Sequence, residues 1–182
     1  MRMLLALAML AVAGCTRDFL NTPLRDHASN TELLPIPVNA AAADPDAPYI
    51  VMSLSGGGVR ATGLGYAVLN ELRQVPDRSG RSLADEIRII SSASGGSVAA
   101  AWFGLKGSDG LQTLRENFIV RDNMTAMESE VFNPVTLVRL AGPSYSRIDV
   151  LREHLDRTLF HGATYADMYR RPGAPLVILN VY

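Results

Sequence analysis

Three short, mostly apolar runs, each bordered by small or turn-forming residues, mark out the framework of this chain. They are Tyr49 to Leu54, Ile87 to Ile90 and Leu176 to Val181. Apolar runs of this length are typical of strands that are buried on both faces of a parallel sheet. We therefore predict three parallel strands at these positions.

Helical patterns separate the predicted strands. Ala61 to Leu72 repeats apolar residues at helical spacing, and Ser97 to Leu105 is rich in alanine. Ser82 to Asp85 and Ser146 to Asp149 carry the capping-box signature of a helix start. The second box precedes three leucines that would share one helical face: Leu151, Leu155 and Leu159. Strands that alternate with helices predict an α/β fold, a three-layer domain with a mainly parallel sheet flanked by helices on both faces.

The N-terminus has the pattern of a signal peptide. Arg2 supplies positive charge, and the apolar run from Met3 to Ala13 is well short of the ~20 residues of a transmembrane helix. Val12 to Cys15 resembles the lipobox of bacterial lipoproteins, whose signal peptide is cut before a cysteine that then carries acyl chains. The resemblance implies lipidation of Cys15, and Thr16 after it implies a cell-envelope protein of the outer membrane. An ordinary secreted protein with a chance cysteine is the alternative.

The segment after Cys15 predicts a tether. Residues 16–47 are rich in Pro, Ala, Asn and Asp and show no sustained apolar period. We expect a signal peptide over residues 1–14, a tether over 15–47 and a folded domain from residue 48. Because Tyr182 directly follows a predicted strand, where a functional loop of an α/β sheet is expected, we also expect the sequence to be truncated there.

Composition narrows the possible chemistry. The chain has 182 residues and a formal net charge of -1, which gives nucleic acid little to bind. Its single cysteine, Cys15, cannot form an internal disulfide, and its three histidines are scattered. We therefore expect no metal site.

A serine turn follows the second predicted strand. In the run from Ser92 to Gly96, Ser94 stands where the nucleophile stands in the elbow pattern G-x-S-x-G, with Ser92 in place of the first glycine. A β-branched strand precedes the turn and a helix-forming run follows it, as an elbow requires. The alternative is a Gly/Ser-rich turn that merely packs tightly.

A glycine triplet, Gly56 to Gly58, follows the first predicted strand and precedes a helix. Such a loop points several backbone N–H donors at one spot, which suits an oxyanion or a phosphate. Arg60 would lie in the first helical turn, where a cation opposes the helix dipole, so it indicates an anionic partner. We favour a buried carboxylate as that partner over a phosphate head group.

The two motifs together resemble the patatin-like phospholipase family. The first is S-G-G-G-x-R after one strand, and the second is the serine turn that ends in S-G-G-S after the next strand. The resemblance runs from about Tyr49 to Tyr182 and would make residues 48–182 the N-terminal part of a patatin-like hydrolase domain. It implies Ser94 as the catalytic nucleophile. The other implied site residues are Ser92, Gly95 and Gly96 in the nucleophile elbow, Gly56, Gly57 and Gly58 in the oxyanion hole, and Arg60 as support of that loop or as an anion contact.

The same resemblance implies a lipid acyl hydrolase of the phospholipase A or lysophospholipase type, with a phospholipid or another acyl ester as substrate. It implies a Ser–Asp dyad that needs no cofactor, with the aspartate in a D-G-G or D-G-A motif that this sequence lacks. Asp109 would lie at the far end of a helix of about ten residues, ~15 Å from Ser94. We therefore expect the acid beyond Tyr182 and little or no activity from residues 1–182 alone.

Three other functions compete with this interpretation. An α/β-hydrolase would combine Ser94 with His154 or His161 and with Asp109 or Asp149. The local sequence does not favour it, because His154 falls within a charged helix and His161 follows the end of that helix, where an imidazole suits solvent exposure. A nucleotide-binding module would need the Lys-Ser/Thr pair of a P-loop or the G-x-G-x-x-G spacing, and both are absent. A lipoprotein scaffold without activity remains open.

A later apolar stretch allows two interpretations. It contains Met124, Met127, Phe132, Val135, Leu137 and Val138. Such side chains could line an acyl pocket or contact a membrane, but most stretches of this kind belong to a core. We expect core.

Overall fold

The computed structural model of the chain describes residues 47–180. These residues divide into two compact units, a larger one formed by residues 47–121 and 156–180 and a smaller one formed by residues 122–155. The predictions for the signal peptide, for Cys15 and for almost all of the tether lie outside the described residues.

Strands and helices alternate in the first half of the described chain, and helices dominate the second. In chain order, the elements are β1 (Ile50–Leu54), α1 (Gly58–Gln74), β2 (Ile87–Ala93), α2 (Gly95–Lys106), α3 (Leu111–Leu114), α4 (Asn123–Val131), α5 (Pro134–Ala141), α6 (Arg147–Leu155), α7 (Tyr165–Arg170) and β3 (Leu176–Asn180). Short 3-10 helices at Leu83–Glu86 and Ser108–Gly110 precede β2 and α3, and π-helical turns at Arg115–Ile119 and Asp156–Phe160 follow α3 and α6.

The strands of the larger unit form one parallel sheet in the order β1-β2-β3. Parallel neighbours need a crossover connection, and helices lie in both connections of this sheet. Met52, Ile90 and Val177 are paired across the three strands, and they share a buried core cluster with Leu69 of α1 and Phe103 of α2. The predicted α/β fold with a mainly parallel sheet flanked by helices is confirmed.

The two faces of the sheet differ in burial. Successive side chains of a strand point to opposite faces, so Val51 and Ile178 point away from the buried cluster. They are 60% and 42% exposed. We expected both faces of the sheet to be buried. Among residues 47–180, the face that carries Met52, Ile90 and Val177 is buried, and the opposite face is partly exposed.

Pairing explains why β2 is longer than predicted. The strand continues past Ile90 to Ala93, because Ser91 and Ser92 have partners in both neighbouring strands despite their polar side chains. The capping signature at Ser82 starts a 3-10 helix instead of an α-helix, with Ser82 Oγ accepting a hydrogen bond from the backbone N–H of Ala84 at 3.1 Å.

Side-chain caps start the helices of the smaller unit. Asp122 accepts a hydrogen bond at the start of α4, and Asn133 does so at the start of α5. At the start of α6, Asp149 Oδ2 accepts from the backbone N–H of Ser146 at 2.8 Å, as the signature there predicts. These short helices therefore begin where the sequence supplies partners for unpaired N–H groups.

The apolar stretch that we expected to belong to the core is exposed. Large exposed fractions are found at Met124 (67%), Phe132 (73%), Val135 (69%), Leu137 (46%) and Val138 (75%). The three leucines predicted to share one helical face differ in burial, since Leu151 is 39% exposed whereas Leu159, in the π turn that follows α6, is buried. Helix α5 has no buried residue at all, so its apolar side faces solvent.

No helix within residues 47–180 has both the length and the apolar character needed to cross a bilayer.

Phe103 provides a test of the core. Its side chain is 1% exposed beneath the sheet, so Phe103→Ala should reduce the free energy of unfolding by about 3–5 kcal/mol. Leu64→Ala on α1 is the control, because Leu64 is 66% exposed and should change that free energy by less than about 0.5 kcal/mol. Urea denaturation followed by circular dichroism measures both. Equal effects would contradict the described packing.

Candidate active site

Two loops meet at the carboxyl edge of the sheet. Leu54 at the end of β1 is paired with Ser92 near the end of β2. The glycine loop after β1 and the serine turn after β2 therefore leave the sheet side by side. The carboxyl ends of strands are where open α/β sheets bind their ligands.

Ser94 links β2 directly to α2 through a strained backbone. Its φ and ψ angles are 49° and -124°, a region that non-glycine residues rarely occupy, and its side chain is exposed. Such a conformation costs on the order of 1–3 kcal/mol and persists only where the surroundings enforce it. Within residues 47–180, the Ser94 hydroxyl has no hydrogen-bond partner. The turn thus presents an accessible hydroxyl above the sheet edge.

Close backbone contacts enforce this turn. A methyl group on Gly95 would overlap the carbonyl group of Gly58, and one on Gly96 would lie 2.5 Å from the carbonyl oxygen of Ser55. Only glycine at these two positions allows the serine turn to pack against the glycine loop. The glycine loop and the serine turn therefore form a single packed unit at the edge of the sheet.

Thr62 links the same two segments, and no local sequence pattern indicates this role. Its side chain is fully buried on α1, and its hydroxyl donates a hydrogen bond to the carbonyl oxygen of Gly95 at 2.7 Å. A threonine in a helix ordinarily bonds to the carbonyl four residues earlier, here Gly58, and that contact is longer at 3.4 Å. The bond to Gly95 fixes the start of α2 relative to α1.

The glycine loop lies against Ser94 and remains open to solvent. A Cβ atom on Gly56 would lie 3.3 Å from Ser94 Cβ and 3.9 Å from Ser94 Oγ. Gly57 and Gly58 have φ angles of 142° and 62°, which favour glycine. In the part of the chain that the structure describes, the N–H groups of Gly56 and Gly57 donate no backbone hydrogen bond. Donors at this position can stabilise negative charge that develops next to the Ser94 hydroxyl.

Ser92 and Asn180 brace the edge between β2 and β3. Ser92 is buried, and its hydroxyl donates to the carbonyl oxygen of Ile178 at 3.2 Å. Asn180 Nδ2 donates to the carbonyl oxygen of Ser92 at 2.9 Å and to Ser91 Oγ at 3.0 Å. A serine thus fits where the elbow pattern has glycine. Asn180 is a second residue of this edge that the sequence did not single out, because its partners come from another strand.

Arg60 lies in the first turn of α1, and its side chain is exposed. Among residues 47–180, no carboxylate forms an ion pair with it. The buried carboxylate that we expected is therefore not found in this part of the chain.

The two histidines occupy different environments. His154, which the sequence places in a charged helix, is only 4% exposed. It lies in the smaller unit, where its ring nitrogens contact Glu130 Oε1 and Asn123 Oδ1, each at 3.2 Å. Both partners belong to α4, and their polar contacts allow the imidazole of His154 to be buried. The sequence does not reveal these contacts. His161 is exposed at the end of a π turn, as expected.

His161 and Asp109 both line a cleft of about 760 Å³ that also includes Lys106, the last residue of α2. Helix α2 is about 18 Å long, since it has 12 residues. Ser94 precedes the first residue of this helix, so the cleft and the serine turn lie at opposite ends of it. Neither His161 nor Asp109 can contact the Ser94 hydroxyl. In the described part of the chain, no group of three or more Cys, His, Asp or Glu side chains could hold a metal ion.

The chain is similar to the probable lysophospholipase 3 of Schizosaccharomyces pombe, with 36% identity over 118 residues. The match covers 63% of this chain and 17% of the relative, so the chain spans about a sixth of the length of the relative that it matches. No family model matches the chain, and no solved structure does.

Gly95 tests the contact between the two loops. Gly95→Ala should reduce the free energy of unfolding by about 1–3 kcal/mol, because the added methyl group must displace the carbonyl group of Gly58. Gly63→Ala on α1 is the matched control, since its new Cβ would lie 3.6 Å from Ile119 Cγ2, an ordinary contact. The control should be neutral or stabilising. Urea denaturation of both variants compares them, and a Gly95→Ala protein as stable as the parent would show that the loops are not in contact.

Proposed function

We propose that this protein is a lipid acyl hydrolase related to the patatin-like phospholipases, with Ser94 as its nucleophile. One observation carries the proposal. A strained, exposed serine lies at a strand-to-helix turn, and a glycine loop with unpaired N–H groups packs directly against it. An observed backbone outlier of this kind is a better argument for a reactive residue than the sequence pattern alone.

The proposed reaction is covalent hydrolysis of a carboxylic ester. Ser94 Oγ attacks the ester carbonyl carbon, the alcohol leaves, and water hydrolyses the acyl-enzyme to release the fatty acid. Negative charge on the carbonyl oxygen would be stabilised by N–H groups of Gly56, Gly57 and Gly58, where one donor is worth roughly 3 kcal/mol. The N-terminal end of α2, whose first residue is Gly95, adds the positive end of a helix dipole.

A general base must take the proton of Ser94 in this scheme. Among residues 47–180, no carboxylate or histidine accepts a hydrogen bond from the Ser94 hydroxyl. In keeping with the resemblance to the patatin-like family, we propose that an aspartate in polypeptide beyond Tyr182 completes a Ser–Asp dyad. Arg60, exposed in the first turn of α1 and two residues after Gly58, would support the glycine loop or contact an anionic part of the substrate.

The proposed substrate is a phospholipid or a lysophospholipid. The name of the yeast relative, a probable lysophospholipase, supports this class. The lipobox-like residues ending at Cys15 support the same class, because an acylated Cys15 would hold the enzyme at a membrane. We propose a lipid-anchored protein of the cell envelope, with residues 15–47 as the tether between the membrane and the hydrolase domain.

Ester hydrolysis by the complete gene product tests the proposed nucleophile. Ser94→Ala should reduce kcat/KM for p-nitrophenyl butyrate at least about 1,000-fold, because the covalent step is lost. The controls are Ser97→Ala, one turn further along α2, and His161→Ala in the distant cleft. Both should retain activity within about threefold, as neither side chain contacts the reacting atoms. Loss of activity in His161→Ala would favour a histidine-based triad, and an inactive parent protein would favour the scaffold alternative.

A further inference from the structure

Helix α2 begins with two glycines and has no side-chain cap. Gly95 and Gly96 are its first residues, and Ser94 at the N-cap position makes no capping hydrogen bond within residues 47–180. Glycine is a poor helix former, and the first N–H groups of a helix have no partner inside the helix. By its local sequence, the turn that carries Ser94 should therefore fray. The restraint that holds the turn in its described conformation has to come from other elements.

Thr62 of α1 lies where the two loops meet. Its hydroxyl is 2.7 Å from the carbonyl oxygen of Gly95 in the serine turn and 3.4 Å from the carbonyl oxygen of Gly58 in the glycine loop. The shorter contact is a hydrogen bond from one helix to the first residue of another, directly after Ser94. Thr62 is fully buried, and a hydrogen bond in such surroundings is stronger than one exposed to water.

Close packing of α1 on α2 makes this contact possible. Thr62, Gly65 and Leu69 are the buried residues of α1, and their spacing places them on one helical face. A Cβ atom on Gly65 would lie 3.0 Å from the Cβ atom of Ala99, which is one turn along α2 from Gly95. Small residues thus bring the two helices close enough for a side-chain hydroxyl of α1 to reach a backbone carbonyl of α2.

We propose that Thr62 is a positioning residue for the nucleophile, an inference that rests on the proposed function of Ser94. The Thr62 hydroxyl holds the carbonyl group of Gly95, and the adjoining Ser94 thereby keeps its place beside the glycine loop. An error of about 1 Å in the position of a reacting group can reduce a rate on the order of 100-fold. Because Thr62 is buried, it acts through this backbone and not by contact with the ester.

Removal of one hydroxyl tests this role. In the complete gene product, Thr62→Val keeps the shape of the side chain and deletes the hydrogen-bond donor. It should reduce kcat for p-nitrophenyl butyrate at least about tenfold and leave KM within about twofold, because the geometry of attack is disturbed and the binding surface is not. Thr62→Ser retains the donor and should keep at least about half of the parent's kcat.

Ile87→Val separates positioning from a general loss of stability. Ile87 is 1% exposed and is the first residue of β2, at the opposite end of this strand from the serine turn. The shorter side chain should lower the melting temperature and leave kcat within about twofold of the parent's value. A Thr62→Val protein with the parent's kcat would overturn the inference. An equal loss of kcat in Ile87→Val would overturn it too.

Hydrogen exchange distinguishes a failure of this inference from a failure of the proposed function. A parent protein that hydrolyses no ester would contradict the proposed function, but its amides would still report on the bond from Thr62. The N–H groups of residues 98–100 bond to the first turn of α2 in an α-helix. Their exchange should be at least about tenfold faster in Thr62→Val than in the parent, and within about threefold of the parent in Ile87→Val. Equal exchange in Thr62→Val and the parent would overturn the inference, whatever the activity.

Discussion

Contact between two backbones is the constraint on which the described site depends. The carbonyl groups of Ser55 and Gly58 lie where side chains at Gly96 and Gly95 would otherwise be. Parallel pairing of β1 with β2 brings the two loops to one sheet edge, and the absence of side chains lets them touch. The glycines are therefore needed, first of all, for the two loops to pack together. Because the loops pack together, the N–H groups of the glycine loop lie next to Ser94.

The strain at Ser94 is sustained by the elements around it. β2 pairs with strands on both sides, so the position at which the turn begins is fixed. Thr62 fixes the first residue of α2, and Asn180 fixes the last residues of β2 through the Ser92 carbonyl. A cost on the order of 1–3 kcal/mol is small beside the burial of side chains such as Ile90 and Phe103 behind the turn. The backbone at Ser94 is thus held in one conformation by its neighbours.

The sequence predicted most of this framework and missed what depends on distant contacts. Apolar runs and glycine spacing located the strands and the two loops, because both are local patterns. The length of β2 was underestimated, since Ser91 and Ser92 are held by pairing and not by apolar character. The roles of Thr62 and His154 arise from partners more than twenty residues away, and no local pattern encodes them. The exposed face of α5 was assigned to the core because the sequence cannot show which side of a short helix is covered.

The central claim is that Ser94 is chemically activated by its surroundings, and covalent labelling tests it most directly. The complete gene product is treated with a fluorophosphonate, and the adduct is located by peptide mass spectrometry. The account predicts one adduct per chain on Ser94, with no labelling after denaturation. Labelling at another residue, or no labelling of a folded and complete protein, would contradict it.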